Sequence, residues 1–324
     1  MPVLRLLKLH CPESEIHWWV DSSIAPLLEG DPDLAGIVRF ERRGWASPSR
    51  WGDLWRSLRW CREQSFDMAI DLQSLARSGA FAWLANPKLL IGLDDAREGA
   101  RGFYDLAVPR RSFHTHAVDW YLGVLAALKV PVHWNFTWLP ERPAVAAGIR
   151  RKWPAGSARW IALQPGARWT NKRWPAENFA GVVSRFARTW PDFQFAILGS
   201  ETDRELGAVI ARADPQRCLD LTGQLSLLEM VEWIRLSELM ISNDTGPMHV
   251  AAALGKPVVA AFGPTEPRRT GPYRQLGGVV QANLPCVPCM SPRCSNPAPL
   301  ECLHVISPDT ILSRAREALG LAAA

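Results

Sequence analysis

The strongest constraint on this chain is the regular alternation of short apolar runs with helical stretches. Strand candidates in the first half are EIHWWV (15–20), GIVRF (36–40), FDMAIDL (66–72) and KLLIGL (88–93). In the second half they are RWIALQPG (159–166), DFQFAILGS (192–200), CLDLTG (218–223), ELMISND (238–244) and KPVVAAFGP (256–264). Helical patterns fill the gaps, clearest at 73–85, 115–129 and 175–190, the last with Pro175 at its first turn. Strands alternating with helices are the rhythm of parallel sheets. A stretch from Trp138 to Gly156 carries three prolines and several charges between the two series, and is expected to be a linker. At ~150 residues per domain, 324 residues fit two domains. The expected division is 1–141, 142–303 and a final helix, 304–324, crossing back to the first domain. The fold class is therefore α/β, with two Rossmann-like doubly wound domains facing a cleft.

Composition narrows the function. Lys plus Arg total 37 against 32 Asp plus Glu, a formal charge of +5. That excess is too small and too dispersed for a dedicated nucleic-acid binder, but it suits an anionic substrate or an anionic membrane surface. No run approaches the ~18 uninterrupted apolar residues of a membrane span. The opening MPVLRLLKLHCP is broken by Arg5, Lys8 and His10, unlike a secretory signal. Seven cysteines, an odd number, suit a reducing, cytoplasmic compartment. No GxGxxG follows a strand, and Gly255-Lys256 is followed by proline rather than Ser or Thr. Hydride transfer and P-loop hydrolysis are thereby disfavoured. Neither a GxSxG elbow nor an HExxH helix occurs.

Three loops in the second half sit where strands end and helices begin, the edge at which open α/β sheets bind ligands. In NDTGPMHVAAALG (243–255) a strand runs into Asp244-Thr245-Gly246, and Pro247 opens a helix that ends at Gly255. The first amides of a helix lack internal partners and carry about half a positive charge, so this turn is a ready diphosphate seat. Asp244 can cap the helix or grip a sugar hydroxyl, and His249 lies one turn in. QPGARWTNKRWPAENF (164–179) sets Arg168, Lys172 and Arg173 before a helix start, fixed cations able to neutralise a departing pyrophosphate. LGSETDRE (198–205) presents Glu201, either a ribose ligand or a plain helix-start carboxylate.

With these segments in view, the sequence resembles the heptosyltransferases of bacterial lipopolysaccharide core assembly, glycosyltransferase family nine, which have the GT-B fold. The likeness runs through NDTGPMHVAAALGKPVVAAFGPT (243–265), PGARWTNKRWP (165–175), AIDLQSLARSGAFAWL (69–84), GLDDAREGARGFYD (92–105) and HAVDWYLGVLAAL (116–128). It implies inverting transfer of a heptose from an ADP-sugar to a Kdo or heptose acceptor on lipid A, with no metal or other cofactor for the chemistry. It implies that Asp244, Thr245, Gly246 and His249 hold the diphosphate and sugar. Lys172 stabilises the leaving group, Glu201 meets the ribose and Leu225 lines the adenine pocket. On the acceptor side it points to Asp71, Gln73, Arg77, Arg97 and Glu98. Arginine forks suit an acceptor bearing carboxylates and phosphates. Trp120 stands where relatives have Arg. A lipid-linked acceptor implies peripheral work at the cytoplasmic face of the inner membrane.

The opening departs from the resemblance. Family members begin with a strand and a Ser-x-Gly-Asp-like loop whose Asp is the general base, whereas here Met1-Pro2-Val3-Leu4 matches the end of that loop and a helix start. The expectation is that the first strand and the catalytic Asp lie upstream of Met1. Cys286, Cys289, Cys294 and Cys302 cluster near the carboxyl end, as a structural zinc site or as a loop without metal. Trp51, Leu54, Trp55 and Leu58 recur at helical spacing, as a packed stripe or an aromatic patch touching the inner leaflet. Two rival functions stay open: a same-fold transferase with another nucleotide sugar, and a non-catalytic nucleotide-sugar-binding relative.

Overall fold

The computed structural model of the chain describes residues 1–41, 51–95, 98–153, 155–156 and 158–322. It divides into two compact units, Met1–Pro140 and Glu141–Ala324.

In the first unit the chain opens on helix α1 (Pro2–His10), with Pro2 in the first turn. Strands β1 (His17–Asp21) and β2 (Gly36–Phe40) pair in parallel. Helix α2 (Trp51–Gln64), β3 (Met68–Asp71), α3 (Ala76–Leu84), β4 (Leu89–Asp94), β5 (Leu106–Pro109) and α4 (Ala117–Ala127) follow. The order β3-β4-β5 forms a second parallel sheet, so among the described residues the unit holds two small sheets rather than one. β5 escapes sequence reading because it is four residues long and ends in proline. Along α2, Leu58 and Cys61 turn into a small core with Phe81, while Trp55 is 64% exposed, so the expected stripe divides between core and surface.

Leu6 of α1 packs against Leu122 and Leu125 of α4, and Arg5 is locked by Asp31 at 2.5 and 2.6 Å and by Asp33 at 2.6 Å.

In the second unit the expected linker is a helix. Pro143 occupies the first turn of α5 (Pro143–Lys152), and the alanine-rich run behind it propagates well. Ile149 and Trp153 then enter the core of this unit. There follow β6 (Arg159–Gln164), α6 (Ala176–Thr189), β7 (Phe193–Ile197), α7 (Arg204–Ala211), β8 (Cys218–Asp220) and α8 (Leu227–Leu236). β9 (Leu239–Asn243), α9 (Gly246–Ala253), β10 (Val258–Phe262), α10 (Pro267–Thr270), β11 (Val279–Gln281), α11 (Glu301–His304) and α12 (Pro308–Leu319) complete it. All strands pair in parallel in the order β11-β10-β9-β6-β7-β8.

Alternation along these strands feeds two cores. Ile161, Leu163, Phe195, Ile197, Leu239, Ile241 and Val259 face Phe179, Val183 and Phe186 of α6. Trp160, Ala162, Ala196, Met240, Ala260 and Phe262 face Ile149, Trp233 and Met248 on the other side. Strands buried on both faces read as continuous apolar runs, which is why this half was so legible. The last helix packs into the second unit's core. Ile311 and Ala315 of α12 are buried in the α6-side core, because its apolar stripe is complementary to that helix layer.

Candidate functional site

The strand order of the second unit reverses at β6. The chain runs outward through β7 and β8, then returns to β9 on the other side of β6. Loops leaving β6 and β9 therefore diverge at their carboxyl ends and leave a crevice, the position where doubly wound sheets take ligands.

Asn243 fastens this crevice. Fully buried at the end of β9, it donates from Nδ2 to the Pro165 carbonyl at 2.6 Å and accepts from the Trp174 amide at 3.0 Å. One side chain thus ties both ends of the 165–174 loop to β9. Within that loop Lys172 is held over the Trp169 ring at 4.7 Å, and its ammonium donates to Asp244 Oδ2 at 2.6 Å. Thr265, on the loop after β10, donates from its hydroxyl to the same oxygen at 2.6 Å. Asp244 and Thr265 are only 6% and 5% exposed, so the carboxylate rests on two donors in a site largely shielded from water.

Asp244 therefore does not cap α9, which was one sequence expectation. Thr245 is the N-cap and makes no side-chain capping bond. Gly246 is exposed, and a methyl there meets nothing within 4 Å. The start of α9, with no side-chain cap from Thr245, lies next in sequence to Asp244, the partner of Lys172, and uncapped helix starts attract anions. His249 is exposed one turn further on.

The other loops complete this edge of the sheet. Glu201, after β7, pairs with Arg204 at 2.7 Å and leans over Gly223, where an added Cβ would lie 2.6 Å from its Oε2. Leu225 packs against the α8-side core. Arg173 does not join Lys172: it donates to the Ala167 carbonyl at 2.9 Å and sits 3.8 Å from Asp203. Arg168 is exposed. Sequence reasoning missed Asn243 as a clamp and Thr265 as a carboxylate partner. Both stood inside segments already singled out, but their bonds cross strands far apart in sequence.

In the first unit the expected acceptor residues separate by role. Asp71 ends β3 and is spent on structure. Its Oδ1 accepts from the amides of Gln73 and Ser74 at 2.8 and 3.1 Å, and its Oδ2 accepts from the hydroxyls of Ser78 and Tyr104 at 2.7 and 2.8 Å. Burial first, and then the bond to Asp71, push the Tyr104 phenol up. Tyr104 in turn lies so close to Gly92 that a Cβ there would stand 2.2 Å from its ring. Glu98 accepts from the Ala76 amide at 3.0 Å and so covers the start of α3. Gln73 and Arg77 are exposed on that same turn. Arg97 lies outside the described residues. Trp120, placed where relatives have Arg, is a core residue instead: its indole donates to the Val108 carbonyl at 2.9 Å. His116 starts α4, its ring accepting from the Val118 amide at 3.1 Å.

The four clustered cysteines border one cavity together with Asn171 and Pro264. Backbone amides of Leu300 and Asn296 pull the Cys294 thiol down, whereas burial raises that of Cys302. As arranged, no three His, Cys, Asp or Glu side chains among the described residues are placed to hold a metal ion. No helix among the described residues is long and apolar enough to cross a membrane.

Known proteins share this plan. A family model for glycosyltransferase family 9 (heptosyltransferase) matches residues 51–299. Lipopolysaccharide heptosyltransferase 1 of Pseudomonas aeruginosa is 28% identical, over 91% of this chain and 83% of its own. Lipopolysaccharide heptosyltransferase 2 of Salmonella typhimurium is 32% identical, over 86% of this chain and 82% of its own. Among solved structures, E. coli ADP-heptose LPS heptosyltransferase II superposes with a TM-score of 0.76 at 22% identity, covering 98% of this chain and 93% of that one. At that identity the likeness shows a shared fold, GT-B.

Proposed function

The chain belongs to glycosyltransferase family 9, the heptosyltransferases, and from that premise we propose that it moves a heptose from ADP-heptose to the inner core of lipopolysaccharide, inverting the anomeric carbon. The observation that carries the donor half is the pairing of Lys172 with Asp244 beside the uncapped start of α9. As the bond from the anomeric carbon to the β-phosphate oxygen lengthens, negative charge grows on the diphosphate. The amides at Gly246 and the Lys172 ammonium meet that charge in a fixed, partly dry setting, where such donors are worth most. Asp244 and His249 contact the sugar side, Glu201 takes a ribose hydroxyl, and Leu225 supports the adenine.

On the acceptor half, Gln73 and Arg77 meet a lipid A-linked Kdo or heptose. Asp71 holds the turn that presents them, and Glu98 covers the Ala76 amide at the start of the same helix. An exposed arginine in the first turn of a helix is unfavourable by itself, and an anionic acceptor relieves that. The protein works at the cytoplasmic face of the inner membrane by peripheral contact, since the acceptor is lipid-borne.

Calorimetry with ADP, ADP-heptose and UDP-sugars tests the donor, with mass spectrometry of a Kdo-lipid A acceptor as the readout of transfer. The reading expects binding of the adenine nucleotides and indifference to UDP-sugars, with one added heptose once the segment expected to carry the general base is present. A chain that ignores ADP and ADP-heptose overturns it.

A further inference from the structure

Asp244 Oδ2 receives two donors of different kind. Lys172 brings an ammonium at the end of a side chain that is 18% exposed; Thr265 brings a neutral hydroxyl from a buried position. The loop bearing Thr265 is itself held, because Gln281 Nε2 donates to the Thr265 carbonyl at 2.7 Å and to the Gly263 carbonyl at 3.1 Å. The hydroxyl is thus a fixed partner, whereas the ammonium rides on a flexible four-carbon stem.

We propose that Thr265 is a positioning residue that lets Lys172 leave Asp244 for the donor's diphosphate. A buried carboxylate stripped of its only counter-charge among the described residues is costly. In the resting protein Lys172 compensates Asp244. When a diphosphate arrives at the start of α9, Lys172 can serve it only if Asp244 keeps a partner, and the Thr265 hydroxyl is that partner. Hydrogen bonds to a charged acceptor are among the stronger ones, so the hydroxyl makes the exchange affordable. Without it, Asp244 holds Lys172 back and the diphosphate is bound poorly. Thr265 need not touch the donor, and its influence is confined to ligands carrying phosphate charge.

This inference rests on the donor reading above, and the experiment separates the two. Thr265→Val and Thr265→Ser are titrated with ADP and with adenosine, alongside the unaltered chain, and kcat and KM are followed for ADP-heptose. Thr265→Val is expected to bind ADP about tenfold more weakly, with adenosine binding unchanged, a raised KM and a lowered kcat. Thr265→Ser, which restores the hydroxyl, returns ADP affinity to within about twofold. If Thr265→Val binds ADP as tightly as the unaltered chain, the inference fails and the donor reading stands. If it weakens ADP and adenosine alike, Thr265 is only a structural prop and the inference fails. Should the unaltered chain not bind ADP, the donor reading itself falls and takes this inference with it.

Discussion

Lys172→Met is expected to lower kcat for heptose transfer by about 10²–10³-fold, the loss that follows removal of one preorganised donor from a developing anion. The size reflects where the ammonium sits. It is held at 2.6 Å from a buried carboxylate and over the Trp169 ring, so it is neither free in water nor shared with other anions among the contacts described. Because Asp244 is then left with Thr265 alone, some loss of stability accompanies the change. Lys172→Arg separates the effects: it keeps the charge and the pairing with Asp244, yet its wider fork aims differently, so stability returns before rate does. Steady-state kinetics on folded protein, checked by circular dichroism, measures the outcome. A Lys172→Met chain that folds and retains kcat within tenfold would falsify the leaving-group role.

Asn243→Leu is expected to destabilise the second unit by about 2–4 kcal/mol, since it leaves the Pro165 carbonyl and the Trp174 amide buried without partners. In thermal unfolding this amounts to about 6–12 °C for a unit of this size. Donor affinity falls with it, because the loop carrying Lys172 loses its fastening to β9. Asn243→Asp discriminates: its carboxylate still accepts from Trp174 but repels the Pro165 carbonyl, giving an intermediate loss. Calorimetric melting with and without ADP decides; a shift below 2 °C, or unchanged ADP binding, contradicts the clamp.

How much of this was legible in the sequence depends on the range of the forces involved. β6, β7, β9 and β10 are buried on both faces, so their apolar runs announced them. Edge strands β5 and β11 gain little from burial, and four or three residues of pattern did not distinguish them from loop. Prolines 140, 143 and 154 suggested a linker, yet Pro143 starts a helix because the first turn requires no amide from it. At the site, Lys172 and Asp244 were visible as types beside helix starts. Their direct contact was not, since it spans 72 positions and depends on the strand order reversing at β6. For Asp71 the motif marked the place, but the four bonds by which it braces the turn could not be read from it.

The two halves of the chain differ in how their layers are joined. One has a continuous parallel sheet of six strands with a core on either side; the other has separate sheets of two and three strands and several small clusters. Cooperativity follows the continuity of such networks, so the halves form unequal foldons. Under mild denaturant the amino-terminal half is expected to let amide protons exchange first, while the carboxy-terminal half remains closed around its crevice. If donor and acceptor divide between the halves as proposed, partial melting is expected to release the acceptor before the donor.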